Sequence, residues 1–155
     1  MPNKMQLARQ NNIEAIAREG KLDELKLLFS QSYTQLEIDT ALENAIAYSQ
    51  IDTAEYLLTL GASFENYNYQ GLYYAVHNNE LEGLKYAVSQ GVDININEGM
   101  LLITGIVTTI NSKDLTLIKW LLDNGAEIKY LKENDFALID KYGTREFKEL
   151  IKIWK

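Results

Sequence analysis

Residues able to do covalent or acid–base chemistry are few and scattered along this chain. There is one histidine, His77, and no cysteine, which excludes thiolate nucleophiles, disulfides and cysteine-bearing zinc sites. A histidine works as a general base only beside a nucleophile and an orienting group, and no nucleophile-elbow sequence is present. Carboxylates lie close together at Asp23/Glu24, Glu80/Glu82 and Asp93/Glu98. Two-carboxylate catalysis needs the pair to face each other across a cleft, with one pKa raised by burial. Glu80 and Glu82 instead flank Leu81 at a helix start, where negative charge suits the helix dipole. Neither glycine-rich phosphate signature occurs, nor a calcium-binding loop. No catalytic residue, metal or cofactor is therefore expected. Tyrosine is what the chain concentrates: 67-YNYQGLYY-74 holds Tyr67, Tyr69, Tyr73 and Tyr74. Its ring gives rigid contact area with few torsions to freeze, and its hydroxyl gives a hydrogen bond, so this chemistry is recognition.

The elements that position these residues follow from a period. Four apolar quartets recur at i, i+3, i+6, i+7, each one face of a helix: Leu22/Leu25/Leu28/Phe29, Ile51/Ala54/Leu57/Leu58, Leu81/Leu84/Ala87/Val88 and Leu115/Ile118/Leu121/Leu122. Successive starts differ by 29, 30 and 34 residues. Nine residues before each start stands Ile13, Leu42, Leu72 or Ile106, followed at +3 and +4 by small or branched pairs such as Ala45/Ile46 and Ala75/Val76. One unit is a first helix with a narrow seam, a tight turn, and a second helix with a broad apolar face. Such a pair cannot bury its face alone, so units must stack. Gly61, Gly91 and Gly125 follow directly on the second helices, where the chain must turn left-handed.

Phrase by phrase, the units resemble the ankyrin repeat, whose pattern runs T-P-L-H-x-A-A, a turn, a second helix ending L-L, then G-A-D. The matching stretches are 40-TALENAIAYSQIDTAEYLLTLGAS-63, 70-QGLYYAVHNNELEGLKYAVSQGVD-93 and 104-TGIVTTINSKDLTLIKWLLDNGAE-127, with a weaker copy at 13-IEAIAREGKLDELKLLFSQS-32. The tetrad is absent, its histidine position holding Glu43, Tyr73 and Val107. The resemblance implies an all-α solenoid forming a single domain, 1–155, with repeats at approximately 10–35, 36–65, 66–95 and 96–129 and a C-terminal cap at 130–155. It also implies that loop tips and first helices line a concave face used to bind other proteins. Mapped onto this chain, that face comprises Tyr48, Asn66, Tyr67, Asn68, Tyr69, Tyr73, His77, Asn78, Asn111 and Ser112. Tyr67 and Tyr69 are expected to be exposed contacts, whereas Tyr56, Tyr73, Tyr74 and Tyr86 are expected to pack between units. The run Met100-Leu101-Leu102-Ile103 is expected to lengthen a first helix into the core, and Phe147, Leu150, Ile153 and Trp154 to form one apolar face on the tail.

Net charge narrows the partner. The formal charge is −7, with 8 Lys/Arg against 17 Asp/Glu over residues 1–127. An acidic body repels phosphate backbones and steers basic protein surfaces toward itself. The terminus MPNKMQLARQNN has no secretory leader pattern, and the longest apolar run is far too short for a bilayer. These features predict a monomeric cytoplasmic protein-binding module, with no nucleic acid or membrane partner. Such a module would be a stoichiometric inhibitor or immunity protein against a toxin or enzyme, or else a viral or bacterial adaptor for a host protein. The competing class is a small-ligand binder or enzyme using the tyrosine-lined groove, which requires a deep pocket and an ionisable group with a strongly shifted pKa.

Overall fold

In the computed structural model, which describes residues 1–155, ten α-helices and one 3-10 turn build the whole chain, without a strand. They come as antiparallel pairs: α1 (Lys4–Glu19) with α2 (Leu22–Phe29), α3 (Gln35–Ala47) with α4 (Ile51–Thr59), α5 (Gln70–His77) with α6 (Leu81–Ser89), α7 (Ile96–Ser112) with α8 (Thr116–Asp123), and α9 (Glu133–Tyr142) with α10 (Arg145–Trp154). The first helices pack on one another in the order α1, α3, α5, α7, α9 and form the inner row, and the second helices lie outside them. The quartets become one continuous core, in which Leu25, Leu57, Leu84, Ile118 and Leu121 are fully buried beside the inner-row seam of Ile13, Ala45, Ala75 and Ile106. No helix is long and apolar enough to cross a membrane.

Local chemistry sets the helix limits. Asn3 and Thr34 are reciprocal N-caps. The Asn3 side chain accepts from Gln6 N while Gln6 accepts from Asn3 N, and Thr34 and Glu37 do the same. Gly91 ends α6 at φ 102°, the left-handed geometry expected of it. Units are also stitched by polar groups. Buried Asp39 accepts from Gln35 Nε2 and Ser63 N. Asn95 donates to the Gly125 carbonyl and accepts from Glu127 N, both at 2.9 Å.

The first helices differ in length, and this shapes the inner wall. α3 has 13 residues whereas α5 has only 8. The missing turn is replaced by three successive left-handed residues, Tyr67, Asn68 and Tyr69, at φ 46°, 57° and 65°. One unit later Asn97, Glu98 and Gly99 repeat that geometry, and a regular helix then runs over 100–112. Leu101 and Leu102 are fully buried within it, so the apolar run does enter the core, and it accounts for the longer spacing of 34. The tail departs from expectation. α10 buries Phe147 and Ile151 and half-buries Leu150, whereas Ile153 is 80% exposed and Trp154 turns outward as well. The inward stripe follows i, i+3, i+4 through Phe147, Leu150 and Ile151.

Candidate functional site

The inner row makes an open cleft of about 370 Å³ between α1, α3 and α5. α3 presents Glu43, Asn44 and Tyr48, with Ala47 as a small floor residue, while α5 presents Tyr74, His77 and Asn78, and α1 adds Glu14. A second cleft of about 280 Å³ continues past His77 toward Val107, Asn111 and Ser112 on α7. His77 sits between the two. Its ring stacks on Tyr73 at 5.9 Å and meets Tyr74 edge-on at 6.3 Å, with the two tyrosines themselves 5.2 Å apart. The rings are held on the wall because α5 lies close over α3: a Cβ at Gly71 would stand 3.0 Å from Glu43 Cα.

Glu43 is the electrostatic centre. Its carboxylate is half-buried and accepts from Asn66 Nδ2 at 2.8 Å and, more weakly, from Gln70 Nε2 at 3.5 Å. Burial pushes its pKa up to about 7, with Glu14 and Asp39 repelling its charge and the Asn66 hydrogen bond only partly offsetting them. Glu37, nearly two turns earlier on the same helix, fares differently. Burial raises it too, but hydrogen bonds from Arg9 and Thr34 and the Arg9 charge hold it below the usual carboxylate range.

Because Glu43 holds its proton more tightly folded than unfolded, its ionisation costs stability. That cost is absent below the ordinary carboxylate value of 4.5, grows as pH climbs from there to about 7, and is complete above it. Glu37 has the opposite sign, and its contribution disappears only on acidification below about 4.5. Glu43→Gln is therefore expected to be more stable than wild type at pH 8 by about 1 kcal/mol after discounting for solvent screening, and no more stable at pH 4. Urea melts of both proteins at the two pH values check this. An equal gap at both would remove Glu43 as the source.

The predicted contact residues separate into groups. Tyr48, His77 and Asn78 line the first cleft, and His77, Asn78, Asn111 and Ser112 line the second. Tyr67 and Asn68 stand at the loop tip, Tyr67 being 63% exposed. Tyr69 is not the exposed contact expected of it. It is the left-handed N-cap of α5 and packs half-buried on the core, because that backbone turns its side chain inward. Tyr73 and Tyr74, expected to pack, are instead exposed on the wall, since the short α5 gives its buried stripe to Leu72, Ala75 and Val76. Asn66 and Asn78 are engaged within the fold, Asn66 with Glu43 and Asn78 with the Ala47 carbonyl at 3.2 Å. Sequence reasoning passed over Glu43, Glu14 and Tyr74 as site residues. The one available signal was a carboxylate standing where the repeat pattern has histidine. No cluster of three or more His, Cys, Asp or Glu able to hold a metal is present.

A stacked array of helix pairs with this inner wall can be compared with known families. A family model described as Ankyrin repeats (3 copies) matches residues 13–98, more than half of the sequence. The chain belongs to the ankyrin-repeat family. Ankyrin arrays are, as a rule, protein-binding modules without catalysis. Two ankyrin repeat proteins of Acanthamoeba polyphaga mimivirus are similar to it. One is 38% identical over 55 residues, 34% of this chain and 18% of the relative. The other is 26% identical over 122 residues, 76% of this chain and 38% of the relative. The ankyrin array thus spans well under half the length of either viral relative.

Proposed function

We propose that this ankyrin array is a non-catalytic recognition module that binds a basic protein through its concave face, as a monomer. The observation that carries it is the charge of the inner wall. The middle of that wall, α3, α5 and the regular part of α7, holds Glu37, Asp39 and Glu43 and not one lysine or arginine, whereas α1 at its edge carries Lys4, Arg9 and Arg18 against Glu14 and Glu19. Residues 34–127 as a whole carry 13 Asp/Glu against 3 Lys, so a basic surface is drawn in from a distance. Part of the same proposal is the division into four units, approximately 10–35, 36–65, 66–95 and 96–129, with a cap at 130–155. Its contact set is Tyr48, Tyr67, Asn68, Tyr73, His77, Asn111 and Ser112. Two modes of use suit such a module: blocking a toxin or enzyme as an immunity protein does, or bridging to a host protein as an adaptor. Similarity to viral ankyrin repeat proteins favours the adaptor. A catalytic use of the groove meets one of its two requirements, the raised pKa of Glu43, and is disfavoured because the cleft is open where a deep pocket is needed and His77 has aromatic neighbours, not a nucleophile.

The triple variant Tyr67→Ala, Tyr73→Ala, His77→Ala tests this. These side chains are exposed, so its melting temperature should stay within about 2 °C of wild type. Its affinity for the partner isolated with wild type should fall by at least about 30-fold, the loss of one interface hot spot of 2 kcal/mol or more. Calorimetric titration reads the affinity. Unchanged affinity would mean that another face binds.

A further inference from the structure

The chain treats its two half-buried inner-wall glutamates differently, and the difference points outward. Glu37 receives Arg9 from the neighbouring helix, whereas Glu43 forms no ion pair and has only two amide donors. Glu14, the other carboxylate of the cleft, is also without a cation. Carboxylates withdrawn from water are ordinarily matched by a positive group; α3 and α5 carry none, and Arg18 on α1 lies over the Tyr48 ring and forms an ion pair with neither carboxylate. Four of the ten tyrosines have a cation over the ring, and the two that line this cleft differ in that respect. Tyr48 has the Arg18 guanidinium 5.9 Å from its centroid, and Tyr56, Tyr130 and Tyr142 each have a lysine. Tyr74, on the opposite wall of the same cleft, has no cation over its face.

We propose that the cleft between α1, α3 and α5 is a receptor for one arginine or lysine side chain of the basic partner, its charge against Glu43 and Glu14 and its stem along Tyr48 and Tyr74. This rests on the recognition function proposed above and names the residue-level contact within it. The volume of about 370 Å³ suits one long side chain, and Ala47 leaves room for its tip. Ring faces and carboxylates lining one cleft can bind an organic cation by charge and quadrupole together. A hard metal ion would need several oxygen ligands converging, and these are lacking. A phosphate-bearing ligand would be repelled. The raised pKa of Glu43 fits this arrangement, because an arriving cation supplies the favourable charge that the empty cleft lacks.

The test uses the full chain and small probes: N-acetyl-arginine N-methylamide, with the citrulline and norleucine equivalents as neutral controls, followed by amide NMR shifts. At pH 8 the arginine probe should saturate with a millimolar Kd, moving amides at Ala47, Tyr48, Tyr74 and His77, while the neutral probes should not bind. Glu43→Gln should weaken binding at least fivefold while remaining folded, and Glu55→Gln on the outer helix α4, an equal loss of charge, should change it less than twofold. Wild type should bind at least fivefold more weakly at pH 5 than at pH 8. The ionisable groups that share the cleft with Glu43 are Glu14 from α1, Tyr48 from α3, and Tyr74 and His77 from α5, with Asp39 repelling it along α3 and Arg18 of α1 standing over the Tyr48 ring at the edge, so any slope left in Glu43→Gln belongs to the others. Shifts spread evenly over the acidic surface, equal weakening by Glu55→Gln, or an unchanged pH slope in Glu43→Gln would each overturn the proposal. Failure here with partner binding still lost in the tyrosine variant would leave the recognition function standing. Probe binding that depends on Glu43, with partner affinity indifferent to the tyrosine variant, would keep the receptor and remove that function.

Discussion

Gly83→Ala is expected to lower the melting temperature by about 6–12 °C, corresponding to about 3 kcal/mol in a chain of this size. Gly83 lies in the first turn of α6 and is buried where that helix crosses the end of α3. An added methyl would overlap the Ile46 carbonyl oxygen. A backbone oxygen cannot rotate aside as a side chain does, and this one already accepts from Ser49 N at 3.2 Å. Gly83 N in turn donates to Ser49 Oγ at 2.8 Å, fixing the approach from both sides. The accommodating motion is a shift of α6 away from α3, which opens the core around Leu84 and Ile46. Helix propensity alone predicts the opposite sign, a gain of up to about 1 kcal/mol for alanine over glycine. Calorimetry therefore decides cleanly: a rise in melting temperature would show that α6 can slide at no cost.

Phe147→Ala is the second large effect, with a different form. Phe147 is 1% exposed, the largest fully buried side chain. Removing it from an intact core costs about 3–5 kcal/mol. In a stacked array each unit contacts only its neighbours, so a weakened terminal pair can detach without dissolving the rest. α9 packs on α7 and α10 on α9, and little else holds them. The expected result is a melt with two steps: the first seen in amide exchange across α9 and α10, the second in exchange across α3. One shared transition, displaced as a whole, would show that the cap and the array melt together.

Much of the fold was legible because its rule is local. The quartets and closing glycines depend on residues three to nine apart, and they mark the second helices and their ends. What escaped depends on pairs about one unit apart. Glu43 becomes the centre of the cleft through Asn66 and Gln70, which a loop of variable shape brings back to it. Tyr69 was misplaced because its inward turn comes from a left-handed backbone that bulky residues seldom adopt. The packing expected of Tyr74, and of Tyr73 beside its place in the contact set, fails because a stripe in an eight-residue helix has room for only three or four buried positions, and Gly71, Leu72, Ala75 and Val76 take them. On α10, Ile153 and Trp154 fit the periodicity, but α9 covers only the stripe of Phe147, Leu150 and Ile151.

Stitching only adjacent units has a kinetic consequence. No side-chain hydrogen bond joins residues more than 34 apart, and the main helix packing joins neighbouring pairs. No step in assembly needs a long loop to close, so the entropy of loop closure stays small and is recovered unit by unit. Chains of this low contact order fold on the millisecond scale or faster, while a ribosome adds about 5–20 residues per second. Each helix pair can therefore dock on its predecessor while the next is still being synthesised, and the concave wall is built in the order in which its residues emerge.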